Sequence, residues 1–195
     1  MFNSLLGGPT TIEARAGFMT NDVWTVHHIY HIEMLYPNGV QVILDNKFEN
    51  GLRFEGSEGW VFCSRGAEKV TSSDGNARER VDPNKGPLRA SDPKILLPLG
   101  SDATRWLASR NQYLNWLDSI AANRDPIAPV DEAARSLETC AAAWIGMKLG
   151  RKLTWDVAKE AFVGDDEANA LRARKPRKAE YDFDPMMKKA GLLKI

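Results

Sequence analysis

The chain has 195 residues, 43% of them apolar and 27% charged, which suits a globular domain with a buried core and excludes a disordered or membrane-embedded polypeptide. Lys plus Arg and Asp plus Glu both number 26, so no overall field exists to hold nucleic acid or an acidic membrane. No charged-then-apolar signal opens the chain and no run approaches ~18 apolar residues, which makes cytoplasm the default location.

Taken in chain order, the first half has strand character. Residues 23–36 are dominated by Val, Ile, Thr, Tyr and Trp, and Val26, His28, Tyr30, Ile32, Met34 and Tyr36 fall on one face at period two. Pro37-Asn38-Gly39-Val40 is a hairpin signal, because Asn-Gly accepts the positive φ of a tight turn, and residues 40–46 form the return strand. Strands near residues 52–55 and 60–64, joined by Gly56-Ser57-Glu58-Gly59, extend this into an antiparallel meander. Residues 66–98 turn polar and rich in Gly and Pro, as in a long surface excursion.

The second half changes period. Ser101 or Asp102 can cap a helix in which Trp106, Leu107, Tyr113, Leu114, Leu117 and Ile120 recur at helical spacing until Asn123 and Pro126. A second helix starts near residues 129–131, turns Leu137, Cys140, Ala141, Trp144, Ile145 and Met147 inward, and ends at Gly150. Ala141, Ala142 and Ala143 permit close approach of a neighbour, and Trp106, Trp116 and Trp144 stand at core spacing. A short strand at residues 152–155 and a capped turn at 165–172 follow. Strands first and helices second, without βαβ alternation, predict an α+β fold: an open, mainly antiparallel sheet with helices packed on one face. The domain extends over residues 1–177, and 178–195 form a polar tail whose basic neighbours, Arg172 to Lys178, are balanced by flanking acids.

Candidate chemistry is sparse. No strand, glycine-rich turn and helix follow one another in the way that holds a dinucleotide pyrophosphate, so no cofactor is expected on this chain itself. Cys63 and Cys140 lack any metal or redox spacing and are expected to be buried thiols. His27, His28 and His31 crowd into one strand and invite a metal hypothesis. On a regular strand His27 and His28 point to opposite faces, while His27 and His31 share a face ~13 Å apart, too far for one ion without further ligands. With Trp24 and Tyr30 these histidines make a polar, aromatic surface suited to sugar hydroxyls or a partner sheet, or to plain cross-strand pairing. Arg53 and Arg65 either steer an anionic substrate or pair with Glu55 and Glu58.

Several strings, in order and with similar gaps, resemble the C-terminal domain of the Gfo/Idh/MocA oxidoreductases: Gly59-Trp60-Val61-Phe62, Asn115-Trp116-Leu117-Asp118, Pro126-Ile127-Ala128-Pro129-Val130, Arg135-Ser136, Leu149-Gly150-Arg151-Lys152-Leu153-Thr154-Trp155-Asp156 and Gly164-Asp165-Asp166-Glu167-Ala168-Asn169. The resemblance covers about residues 9–177. It implies a Rossmann domain binding NAD or NADP, in the same or another chain, and a sheet domain that contributes to a sugar or polyol site and to a homo-oligomer through its open face. The family's Glu-Lys-Pro motif with the catalytic lysine is not in this sequence, which begins where the family's sheet begins, so no catalytic residue carries over. Where many relatives have His before the Arg-Ser pair and Asn further along that helix, this chain has Ala134 and Trp144. Many relatives also carry a twin-arginine signal, which would mean export. The competing expectations are a stand-alone sheet-mediated assembly module without catalysis and, third, a metal enzyme using the histidine strand.

Overall fold

A computed structural model describes residues 7–20, 23–64, 87–98, 100–103, 109, 111–174 and 176–191. Its elements are β1 (Thr11–Phe18), β2 (His27–Leu35), β3 (Gln41–Asp45), β4 (Leu52–Gly56), β5 (Gly59–Cys63), β6 (Leu88–Ala90), α1 (Gln112–Ala121), α2 (Val130–Leu149), β7 (Leu153–Asp156), β8 (Ala161–Phe162), α3 (Asp166–Ala170) and α4 (Phe183–Lys189). The chain divides into two compact units, residues 1–46 with 130–195 and residues 47–129. The fold is α+β with open antiparallel sheets, as the order of periodicities predicts.

In the first unit the sheet order is β3-β2-β1-β7-β8. The Asn-Gly turn forms between β2 and β3: Gly39 has φ +83°, its N–H donates to the Tyr36 carbonyl at 2.9 Å, and Asn38 Oδ1 accepts from the Val40 N–H at 3.2 Å. From this turn the register follows, with Leu35 opposite Gln41 and His31 opposite Asp45. Ile12, Ala14, Ile32, Met34 and Tyr36 are buried on one face of the sheet, where α2 supplies Ala142, Ala143, Ile145 and Met147. The approach is close at Gly146. A Cβ there would stand 3.2 Å from Ala14 Cβ and 3.2 Å from Ile12 Cγ2, so the missing side chain lets the helix sit directly on β1. Gly150, at φ +63°, ends α2 and donates to the Gly146 carbonyl at 2.8 Å.

Past α2, Leu153 and Trp155 extend the core, and the Trp155 ring meets Phe162 edge-on at 4.8 Å. Asn169 completes this corner as a substitute strand. Its Oδ1 accepts from Phe162 N–H at 2.9 Å and its Nδ2 donates to the Phe162 carbonyl at 2.8 Å. Arg151 donates to both carboxylate oxygens of Asp165 and to Glu167 Oε2, the last at 3.0 Å, while Asp165 Oδ1 also caps α3 by accepting from the Ala168 N–H at 3.0 Å.

In the second unit β4, β5 and β6 form their own sheet. Phe62, Leu88 and Ala90 are buried in it, Arg89 stacks over the Phe62 ring at 4.2 Å, and Ser91 Oγ accepts from the Trp60 N–H at 2.9 Å. Asn111 caps α1 by accepting from the Leu114 N–H at 3.0 Å, and Asn123, at φ +47°, follows its end. Asn115 Oδ1 then accepts from the Ile127 N–H at 3.1 Å, tying the helix to the Pro126-Ile127 segment.

Five expectations need correction. β1 has no counterpart in the predicted elements. Its sequence, TIEARAGF, has β-branched or aromatic residues only at Thr11, Ile12 and Phe18 and puts Ala14 at a core position, so its strand signature is weak. The meander does not run through residues 24–64, because β4 and β5 leave β3 and pair elsewhere. The polar excursion contains β6 and a 3₁₀ turn at Pro93–Leu96. The described helix α1 is capped at Asn111 rather than at Ser101 or Asp102, and Trp106 and Leu107 lie outside the described residues. The inward helix faces also differ. Trp116 is 59% exposed and Trp144 39%, Leu117, Leu137 and Cys140 are exposed, and Cys63 is only half-buried.

The Gly146 contact yields a test. Gly146→Val is expected to lower stability by about 1–3 kcal/mol, because the added carbons meet Ile12 and Ala14 in a filled core. Urea unfolding monitored by far-UV circular dichroism measures the loss, and an unchanged midpoint would mean that α2 does not rest on β1 at this residue.

Candidate functional site

Helix α2 covers one face of the first sheet, and the side chains facing the other way are Thr11, Glu13 and Arg15 on β1, Ile29, His31, Glu33 and Leu35 on β2, and Gln41, Ile43 and Asp45 on β3, as the register requires. At the centre stands His31. Its Nδ1 lies 2.9 Å from Asp45 Oδ2 and its Nε2 2.9 Å from Glu33 Oε1, and Gln41 Nε2 donates to Glu33 Oε2 at 3.1 Å. A carboxylate accepts and cannot donate, so both ring nitrogens must carry protons for both bonds to exist. The two bonds therefore favour the imidazolium, and the pKa is raised above 6.5 by the bond to Glu33 first and the bond to Asp45 second, against some desolvation.

This arrangement limits the chemistry. A ring whose two nitrogens are both engaged by carboxylates offers no lone pair to a metal or to a substrate proton. Among the described residues no group of three or more His, Cys, Asp or Glu could hold a metal ion. On β1, Arg15 stands opposite His31 and lies 3.6 Å from Glu13 Oε1, while Glu13 stands opposite Glu33. The face is a strip of alternating charge bordered by Ile29, Leu35 and Ile43, each more than two-fifths exposed.

His27 does not join it, and His28 reaches only the far end of the face, beside Gly17. The β1–β2 register shifts between Gly17 and Phe18, so that Gly17 pairs with Ile29 and Phe18 with His27. This bulge turns His27 away from the His31 face. Its ring meets Tyr30 edge-on at 5.3 Å and Phe18 at 6.2 Å, and Lys148 Nζ stands 4.5 Å over the Phe18 ring and 5.5 Å from the Trp144 ring. His28 lies beside Gly17, where a Cβ would meet its ring at 3.4 Å. The expectation that His27 and His31 share a face is thus corrected: an unpaired residue between them breaks the period of two. Trp24 is exposed ahead of β2. Arg53 pairs with Glu55 Oε1 at 2.8 Å and stacks over Trp60 at 4.6 Å, in the second unit. Arg65 lies outside the described residues. Sequence reasoning missed Glu33 and Asp45, although His-x-Glu on one strand and equal steps back from the Asn-Gly turn already place both beside His31.

No family model matches the chain, and no curated protein does. Solved structures that share part of its course at low identity include the following three. An aldose-aldose oxidoreductase from Caulobacter crescentus, solved with glycerol, is 19% identical over 75% of this chain and 41% of its own, with TM-score 0.48. An oxidoreductase from Agrobacterium radiobacter, in complex with NAD+, L-tartaric acid and magnesium, is 17% identical over 82% and 46%, with TM-score 0.47. An NAD-binding protein from Listeria innocua is 17% identical over 75% and 41%, with TM-score 0.46. The chain spans less than half the length of each.

Two ionic contacts predict opposite pH dependences. His31 has a raised folded pKa, so its contribution is complete below pH 6.5 and fades as pH rises through that pKa. Thermal unfolding should show the advantage of the wild type over His31→Gln shrinking above pH 6.5. Asp165 is held down to about 2, chiefly by Arg151 and then by the Ala168 N–H, so its contribution is complete above about pH 4 and is lost as pH falls through 2. The gap between wild type and Asp165→Asn should close over that acid window. A gap constant with pH in either case contradicts the assigned bonds.

Proposed function

We propose that this chain is the sheet-bearing C-terminal domain of an NAD(P)-dependent dehydrogenase of the Gfo/Idh/MocA type, acting on a sugar or polyol, with cofactor and catalytic lysine supplied by a Rossmann domain in the same or another chain. What carries the reading is the way the resembling strings are used. Asn115 of the first helical string binds the backbone of the Pro126-Ile127 string, Gly150 turns the chain out of α2, Arg151 clamps Asp165 and Glu167, and Asn169 pairs with Phe162. Each of these jobs needs the residue type present, so the strings work as a coupled set.

Dinucleotide binding does not fit the residues described. Gly56 and Gly59 flank a hairpin. The passage from β8 through Gly164 into α3 does join a strand, a glycine and a helix, but it places Asp165, Asp166 and Glu167 where a pyrophosphate would need positive potential. Cofactor chemistry therefore belongs to a second domain under this reading. The row Tyr113, Leu114, Trp116, Leu117 and Ile120 on α1, all more than half exposed, is a surface that such a domain could cover. The open face of the first sheet, with its mixed charge and apolar border, is assigned to association with another copy. Catalysis is assigned to none of the residues of this chain.

The test has two arms. Titration calorimetry of the chain alone with NAD(H) and NADP(H) should give no micromolar binding. The coding sequence in frame upstream of Met1, or a chain that co-purifies, should supply a strand, glycine-rich turn and helix, and the assembled protein should reduce NAD(P) in the presence of a sugar or polyol. Micromolar cofactor binding by the chain itself, or a genetic context without a nucleotide-binding partner, contradicts the proposal.

A further inference from the structure

Deprotonation of His31 cannot leave the centre of the open face unchanged. A neutral imidazole keeps one N–H, so the other nitrogen would point a lone pair at a carboxylate oxygen only 2.9 Å away. One of the two bonds must then open. Asp45 is the more enclosed partner, its side chain 14% exposed against 45% for Glu33, so the bond to Glu33 is the one that opens, leaving Glu33 with its bond from Gln41. Glu33 stands directly opposite Glu13 on β1, and like charges opposite each other repel across a strand pair. Protonated His31, together with Gln41 on β3, thus keeps Glu33 turned away from Glu13.

The charged groups facing His31 from its neighbours are Glu13 and Arg15 on β1, Glu33 on β2 itself and Asp45 on β3. While the ring is protonated, two cations stand among three carboxylates. After it loses the proton, one cation remains. A two-fold axis would lay this face on itself, with Arg15, whose side chain is 81% exposed, as the cation offered to the Glu13 and Glu33 of another copy. Such a pairing is complementary only while the excess of negative charge is small, because an interface removes the water that would screen it.

We infer that His31 is a proton-operated clasp that permits the open face of this sheet to bind a second copy of the chain, and that the pair separates as pH rises. The inference rests on the assignment of this face to association under the proposed function. Association takes up protons at His31 in both copies, so over the titration window the dissociation constant rises with pH, by at most about tenfold per unit for each proton bound. His27 lies off this face, His28 lies on it beside Gly17, and both are present in every variant used below, so only a slope lost in His31→Gln counts for the clasp.

Sedimentation equilibrium of the full chain at micromolar concentration, at about pH 6, 7 and 8, tests this with wild type, His31→Gln and Ile43→Asp, each checked for folding by circular dichroism. Wild type is expected to form dimers at pH 6 whose dissociation constant rises at least about tenfold by pH 8. His31→Gln, unable to hold both acids or to titrate, should bind as weakly as the wild type at pH 8 and show no slope. Ile43→Asp, which puts a charge on the apolar border and a further acid directly opposite Glu33, should be a monomer throughout. A monomeric wild type at every pH, an equal slope in His31→Gln, or undiminished dimers in folded Ile43→Asp would each overturn the inference. None of these results touches the cofactor titration or the upstream coding sequence, so a failed clasp and a failed domain assignment are distinguishable.

Discussion

The approach of α2 to β1 at Gly146 sets the geometry of the first unit. With Ala142, Ala143 and Gly146 on its inner face, the helix rests on Ile12 and Ala14 with no side chain of its own between, and a single helix can then roof the sheet. A larger residue at this point would tilt or lift the helix and expose Ile32, Met34 and Trp155 together. The core beneath the strands is continuous, from Tyr36 across Ile12 to Phe162. Gly150 and the Arg151 clamp then return the chain to the same sheet as β7 and β8, so the helix is anchored at its exit as well as along its length.

Roofing one face leaves the other to be made stable in contact with water or a partner. This chain meets that demand with charge in alternation rather than with a continuous apolar surface, and His31 is the residue that makes the alternation possible. Two carboxylates on neighbouring strands would repel each other without it. The same feature excludes His31 from ordinary acid–base catalysis, since both nitrogens are spoken for, and it moves the proposed role of the face from chemistry to assembly.

Much of this was legible in the sequence and the reasons for the rest are physical. The Asn-Gly turn, the alternation through Ile32, Met34 and Tyr36, the glycine stop of α2 and the α+β order all rest on local rules and appear where those rules put them. β1 was illegible because Ala14 is small enough to lie under a close helix and therefore carries no strand signature. The bulge at His28 depends on the partner strand's register, which no local pattern encodes, and it redirects His27 toward Tyr30. Helical spacing on α1 showed an apolar face correctly but could not show that Trp116 and Leu117 lack cover among the described residues, because periodicity reports a face and not its occupant. The clasp was half legible: His31 stood out, while Glu33 and Asp45 passed as ordinary surface acids.

The protonation of His31 is the point on which the assembly proposal turns, and it is open to direct observation. A long-range proton–nitrogen correlation spectrum of the imidazole at about pH 7 distinguishes an imidazolium, with both nitrogens protonated, from a neutral tautomer with one. The bonds to Asp45 and Glu33 predict the imidazolium, persisting above the ordinary value of 6.5. A neutral tautomer at that pH, titrating at 6.5 or below, would contradict it and return the open face to an unassigned surface.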